Sequence, residues 1–168
     1  AGDQPGKSKM FILDPANGKL TALVPEMYVS APVGSPTSDQ IVFTQRVDRM
    51  MGNLWIVNTD GTGLKQLTTY EKGMAYNPIW SSDGKKITFY LEVGDHKDQI
   101  YTLDVDGKAI SHLSDAEAHS FYPAFRANGE VSFTRSLGQQ KSEIWIVGLD
   151  GAKKSTFPHT SFRLLWSP

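Results

Sequence analysis

The side chains best suited to chemistry in this chain are four histidines, His96, His112, His119 and His159, among eighteen Asp and Glu and seventeen Lys and Arg. None of the histidines falls in an H-x-x-x-H or H-E-x-x-H pattern, the spacing that sets two imidazoles on one helical face to hold zinc. The chain has no cysteine, which excludes a thiolate metal site, a disulfide scaffold and a cysteine nucleophile. Gly6-Lys7-Ser8 looks like the end of a phosphate-binding loop, but Gly2 stands one residue too close and no strand precedes it. Asn58-Thr59-Asp60-Gly61 and Asp104-Val105-Asp106-Gly107 begin like calcium loops. They lack the ligand at the fifth position and the closing bidentate Glu, so turn chemistry explains them. No G-x-S-x-G elbow occurs, so the chain is not itself a Ser-His-Asp hydrolase. These patterns lead us to expect neither a metal nor a cofactor.

What must position these residues is a set of short strands. One apolar block recurs as Met10-Phe11-Ile12-Leu13, Leu54-Trp55-Ile56-Val57, Ile100-Tyr101-Thr102-Leu103 and Ile144-Trp145-Ile146-Val147, at offsets of 44, 46 and 44 residues. Each block is followed by a turn dipeptide: Asn17-Gly18, Asp60-Gly61, Asp106-Gly107 and Asp150-Gly151. Asn-Gly and Asp-Gly between β-rich runs are strong hairpin signals, because both residues tolerate positive φ. A second block repeats as Ile41-Val42-Phe43-Thr44, Ile87-Thr88-Phe89-Tyr90 and Val131-Ser132-Phe133-Thr134. A third, a proline followed by an aromatic, is seen in Pro78-Ile79-Trp80-Ser81 and Pro123-Ala124-Phe125 and is eroded at Pro32-Val33-Gly34-Ser35 and Leu164-Leu165-Trp166. In the best-marked unit, strands A to D are expected near 75–80, 86–91, 99–104 and 109–113, and 114–119 offers one helical turn at most. A four-stranded sheet cannot bury both faces alone, so units of about 45 residues must stack face to face, the signature of a β-propeller. An immunoglobulin-like sandwich would also have many short strands, but not this internal period.

The fold class expected is therefore all-β, a β-propeller of four-stranded antiparallel blades with about four repeat units in this chain. Residues 1–8 read as a polar tail or loop and 9–168 as the propeller. Within it, 9–25 is part of a blade, 29–71, 75–116 and 120–158 are blades, and 162–168 starts another. The aromatics of strand A (Trp80, Phe125, Trp166) and strand C (Trp55, Tyr101, Trp145) are expected to wedge between blades, each burying on the order of 150–250 Å². Net charge is −1, which argues against an electrostatic grip on nucleic acid or an anionic membrane. Apolar runs reach only about four residues, so no segment is expected to insert in a bilayer.

Two stretches resemble a known repeat family. Trp80-Ser81-Ser82-Asp83-Gly84-Lys85-Lys86-Ile87-Thr88-Phe89 is similar to the W-S-P-D-G-K signature of the TolB-type, or PD40 (WD40-like), propeller repeat. Leu54 to Thr68 resembles the segment that accompanies it, which ends in D-G-T-G and L-T. Ser82 stands where the family prefers Pro, Arg126-Ala127-Asn128-Gly129 replaces S-P-D-G in the next unit, and the Gly-His and Trp-Asp marks of true WD40 repeats are absent. The resemblance implies a bacterial envelope setting, periplasmic or secreted, and a non-catalytic module that binds a protein or peptide partner.

In such a fold the D-to-A connections share one face, around the mouth of the channel. The expected binding residues there are Tyr70, Tyr76, Asn77, His119, Tyr122 and His159. The alternative is an enzyme's propeller: the accessory domain of a prolyl-oligopeptidase-type peptidase, or a metal-dependent oligosaccharide lyase-like propeller using His119 and His159. Strand counting leaves the last blade with A near 162–167, C near 9–13, D near 20–23 and no B. A segment of a larger propeller, or two copies forming a homo-oligomeric ring, is therefore expected rather than a closed monomer.

Overall fold

The computed structural model describes residues 10–159 apart from Glu26, Val93, Asp95, His96 and Gln140, together with the side chains of that range except those of Lys153, Lys154, Pro158 and His159. The expected tail 1–8 and the segment 162–168 with Trp166 lie outside the described residues, as does His96.

Three units follow one another with the same four-strand order. The first holds β3 (Tyr28–Gly34), β4 (Gln40–Arg46), β5 (Gly52–Asn58) and β6 (Lys65–Gln66). The second holds β7 (Met74–Trp80), β8 (Lys86–Glu92), β9 (Asp98–Asp104) and β10 (Ile110–His112), and the third β11 (Ser120–Phe125), β12 (Val131–Gly138), β13 (Lys141–Val147) and β14 (Lys153–His159). Ahead of them stands the hairpin β1 (Phe11–Leu13) and β2 (Leu20–Ala22), at the positions of strands C and D. All consecutive pairings within units are antiparallel. The stretch 114–119 forms turns and no helix, and no helix among the described residues is long and apolar enough to cross a membrane.

The sheets are not wholly separate. A single parallel bridge between Gly52 and Met74 joins the first two units into one eight-stranded sheet. Gly52 permits that approach, since a Cβ there would lie 3.1 Å from the Gln45 carbonyl oxygen and 3.3 Å from the Met74 side chain.

Strand alternation explains why the middle units need neighbours on both sides. In β8, Ile87, Phe89 and Leu91 pack into one apolar seam and Tyr90 into another, and every residue from 87 to 91 is buried. Three seams result. Met10, Leu23 and Val24 pack on Phe43 and Val57, joining the N-terminal hairpin to the first unit. Val42, Leu54 and Ile56 pack on Trp80, Ile87 and Phe89 between the first and second units. Tyr90 and Ile100 pack on Val131, Phe133 and Val147 between the second and third. The strand aromatics lie where they were expected: Trp80 and Tyr101 in the middle seam, Phe125 and Trp145 in the last, and Trp55 in the first. Trp80 is buried and its indole N–H donates to the Val33 carbonyl of the preceding unit at 2.9 Å.

The Asp-Gly turns work differently from the sequence expectation. Only the glycines take positive φ, at 85° for Gly61, 77° for Gly107 and 78° for Gly151. The aspartates instead accept the N–H two residues on: Thr62 to Asp60, Lys108 to Asp106 and Ala152 to Asp150, at 2.9–3.0 Å. These are Asx turns, in which the side chain stands in for a backbone acceptor.

One repeated device was not anticipated. In each first strand the register slips by one residue, between Ser30 and Val33, Tyr76 and Ile79, and Phe121 and Ala124. Each slip brackets an X-Pro pair, Ala31-Pro32, Asn77-Pro78 or Tyr122-Pro123, whose first residue has φ of 49°, 48° or 57°. Proline cannot donate to the ladder, so the strand accommodates it with a bulge that re-aims the residue before it.

Candidate functional site

The B-to-C loops and D-to-A connections come to the same end of the stack, and the D-to-A connections that follow the first and second units are each held there by a polar staple. In the first unit Asn53 Oδ1 accepts from Thr68 Oγ1 at 2.9 Å and from the Tyr70 N–H at 2.8 Å, while its Nδ2 donates to the Tyr70 carbonyl. In the second, Gln99 accepts from Ser114 Oγ at 2.8 Å and donates to the Ala118 carbonyl at 2.9 Å. Thr68 and Ser114 also accept the N–H of Leu54 and Ile100, at 2.9 Å each. The L-T and L-S pairs that end strand D are thus explained by packing and capping, not by recognition.

Set beside these staples, one group of side chains has no counterpart in the other units among the described residues. Strand register makes Ser30, Tyr76 and Phe121 equivalent, then Thr44, Tyr90 and Thr134, and finally Gly52, Asp98 and Ser142. The fold is satisfied by small residues at most of these places. The second unit instead carries two tyrosines and an aspartate, and they bond to one another. The Tyr76 hydroxyl donates to Asp98 Oδ1 at 2.5 Å, and the Tyr76 and Tyr90 rings stack at 5.2 Å. The Tyr90 hydroxyl accepts the N–H of Tyr122 at 2.6 Å, so the second unit holds the bulge of the third. His119 Nδ1 accepts the Asp98 N–H at 3.0 Å, which assigns its proton to Nε2, 3.7 Å from Asp98 Oδ2. Phe121 lies 5.2 Å from the His119 ring and meets Tyr122 edge-on at 5.1 Å.

Burial dominates the titration of the two phenols, Tyr76 and Tyr90. It pushes the Tyr90 hydroxyl up to about 12, against the opposing pull of the Tyr122 N–H. The Tyr76 hydroxyl is raised further, first by burial, then by its hydrogen bond to Asp98 and the charges of Asp98 and Glu92. Both phenols are therefore neutral donors or acceptors at physiological pH. Next to the cluster, Asp115 pairs with Arg135 at 2.6 Å and is held below the usual carboxylate range, chiefly by the Glu117 N–H and then by Arg135. Burial lowers the His112 imidazole, which stacks on Tyr101 at 4.5 Å.

Of the six residues expected to bind, the structure brings Tyr76, His119 and Tyr122 into this network, and Asn77 follows Tyr76 on the exposed bulge. Tyr122 is 66% exposed. Tyr70 belongs elsewhere: it packs into the seam between the first two units, where burial pushes its hydroxyl up to about 12. His159 is the last residue of β14, paired with Ser142, rather than part of a connection, and its side chain lies outside the described residues. Sequence reasoning missed Tyr90 and Asp98. Aligning the repeats position by position would have marked both. Among the described residues no three His, Cys, Asp or Glu converge as metal ligands. The opposite end carries a cleft of about 290 Å³ between the A-to-B turns, walled by Asp83, Lys86, Arg126 and Asn128. Its cations are already spoken for, Lys86 by Asp104 and Arg126 by Glu130.

No family model matches the chain. Among curated proteins, an uncharacterized protein of Agrobacterium fabrum is 28% identical over 106 residues, covering 58% of this chain and 34% of that protein. The uncharacterized peptidase YuxL of Bacillus subtilis is 29% identical over 99 residues, covering 58% of this chain and 15% of the peptidase. The chain thus spans about a third or less of the length of these relatives. Among solved structures, TolB from Acinetobacter baumannii superposes with a TM-score of 0.68 at 16% identity, over 94% of this chain and 39% of that one. A puromycin hydrolase gives 0.68 at 15%, over 88% and 26%, and the β-propeller domain of the Trilobed protease from Pyrococcus furiosus gives 0.61 at 15%, over 81% and 44%. At these identities the likeness is one of fold. The chain is all-β, and its repeated four-stranded units resemble those of β-propellers.

Proposed function

We propose that the chain is a non-catalytic interaction module, a TolB-like propeller segment that presents its B-to-C and D-to-A end to a protein or peptide partner in a periplasmic or secreted setting. The observation that carries this reading is where the repeat-breaking residues collect. Tyr76, Tyr90, Asp98 and His119 gather at one end of one seam, beside an exposed Tyr122. Aromatic surface with a few fixed polar groups is the composition that recognition sites favour. The PD40-type motifs and the likeness to TolB support the setting.

The reading includes assembly with further blades. Leu54 and Ile100 are completely buried against the next unit, whereas their counterpart Ile144 in the third unit is half-buried. At the other end Phe11, Leu13 and Leu20 share the face of the hairpin turned away from the first unit, and Leu20 is 60% exposed. Faces of this kind belong under another blade, supplied by a longer ring or by a second copy.

A photo-crosslinking aromatic placed at Tyr122, with a control at Lys108 on the opposite end, tests the site. Capture of one protein from the native source at Tyr122 only, and loss of its binding in purified form on Tyr122→Ala, is the expected result. Equal capture at both positions, or binding that survives Tyr122→Ala, overturns it. The peptidase relative favours a second reading, an accessory propeller of a peptidase. Hydrolysis of peptide substrates by the protein purified from its source would select that reading.

A further inference from the structure

Successive units meet differently at the end that carries the A-to-B turns. Strand register makes Gly34, Trp80 and Phe125 equivalent, so the turns are 35–40, 81–86 and 126–130, the last one residue shorter. The first turn leans on the second. Thr37 Oγ1 lies 3.5 Å from the Asp83 carbonyl oxygen, and a Cβ added to Gly84 would stand 1.9 Å from it. At the same seam the Trp80 indole bonds to the Val33 carbonyl. Neither contact recurs between the second and third turns. Phe125 brings a smaller ring with no N–H, and Asp83 stands third in its turn, as Thr37 does in the first. Gly129 matches Gly84, each donating its N–H to the first residue of its turn, but a Cβ on Gly129 would meet nothing within 4 Å. The cleft of about 290 Å³ lies where the second turn does not reach the third.

The polar groups that line this cleft are fixed before any ligand arrives. Asp83 Oδ1 accepts from the Ser81 hydroxyl at 2.7 Å and from the Lys85 N–H at 3.1 Å. Asn128 exchanges two hydrogen bonds with Glu130. Lys86 and Arg126 are paired with Asp104 and Glu130, and the Asp83 carboxylate stands near them, so the cleft does not suit an anion. Each pair uses one nitrogen of its cation, and an ammonium or a guanidinium has further N–H groups to donate. Phe125 and Leu149 add an apolar wall. Donors and acceptors on rigid supports beside an apolar wall suit a neutral ligand with hydroxyls on its edge and C–H groups on its face.

We propose that this cleft binds one ring of a neutral saccharide. Neighbouring hydroxyls donate to Asp83 and accept from Lys86, Arg126 or Asn128, while the C–H face of the ring rests on Phe125 and Leu149. Its volume lies at the lower end of small-ligand pockets, which suits a single ring. The site is at the opposite end from the aromatic cluster and stands whether or not that cluster holds a partner.

The test is an NMR titration of the full chain, labelled with nitrogen-15, with the methyl glycosides of glucose, galactose and mannose. Glycerol serves as a ringless control and glucuronate as a charged one. The reporters are the amides of Gly84, Lys86 and Gly129, each of which donates within the walls of the cleft. A saturable shift at these amides with at least one glycoside, none with glycerol, and no tighter binding of glucuronate are expected. Phe125→Trp installs the residue that the second unit carries at this register position, and should fold while weakening the glycoside about tenfold. Should it fail to fold, Ala127→Trp, at an exposed position of the wall, takes its place with the same loss expected. No saturable shift with any glycoside, shifts matched by glycerol, or a folded variant that binds as well as the parent overturns the proposal. Tighter binding of glucuronate, weakened by salt, would mean that the ion pairs open to an anion, and it too overturns the neutral ligand.

Discussion

Trp80 shows how one residue can carry two obligations. Its ring fills the seam between the first two units, and its indole N–H bonds to the Val33 carbonyl across that seam. Trp80→Ala should therefore cost about 3–5 kcal/mol, the range for emptying a large aromatic site. Trp80→Phe should lose mainly the hydrogen bond, about 1 kcal/mol. Urea unfolding of both variants measures this, and two equal losses would show that the bond to Val33 has no energetic weight. Trp80 was legible because it sits in a motif whose spacing repeats. Asp98 and Tyr90 were not, because a lone Asp and a strand Tyr carry no motif, and only strand register reveals that Gly52 and Thr44 stand in their places elsewhere. Tyr70 was misplaced for a related reason. Its connection lies at the expected end, but Asn53 grips its backbone and turns its ring into the seam.

The strands themselves were readable to within a residue or two, since period-two apolar patterning and Asp-Gly punctuation act locally. The bulges were not, although Ala31-Pro32, Asn77-Pro78 and Tyr122-Pro123 recur in register. Their cause is the donor that proline lacks, and its consequence appears only when a partner strand is present to slip against. Left-handed backbone costs an L-residue roughly 1–2 kcal/mol, while glycine takes it freely at an entropic cost of about 0.5–1 kcal/mol. Ala31→Gly, normally destabilising in a strand, should here leave stability unchanged or raise it by up to about 1 kcal/mol. Ala31→Val should lower it by more than 1 kcal/mol, roughly, because a β-branched residue tolerates this φ worst. Thermal unfolding distinguishes the pair. A clear loss with glycine would mean that the bulge does not strain the residue before proline.

At the scale of the molecule, the units behave as a stack in which each apolar face is completed by its neighbour. The seams between the hairpin and the first unit, and between successive units, repeat one arrangement, and the C-to-D turns repeat it at the rim. Gly107 approaches the Leu67 carbonyl of the preceding unit and Gly151 the His112 carbonyl, so closely that an added Cβ would lie 3.2 and 3.0 Å away. Stacks of this kind are stabilised unit by unit through their interfaces, and an uncovered end is a liability. The ends here carry Phe11, Leu13 and Leu20 on one side and Ile144 with the exposed Phe157 on the other. The decisive measurement is multi-angle light scattering of the purified chain across a range of concentrations, beside a Leu20→Lys variant. Association to a mass well above 18.6 kDa, reduced by Leu20→Lys, is the result expected of blades that need further blades. A monodisperse, cooperatively unfolding particle of 18.6 kDa at every concentration, indifferent to Leu20→Lys, would contradict it.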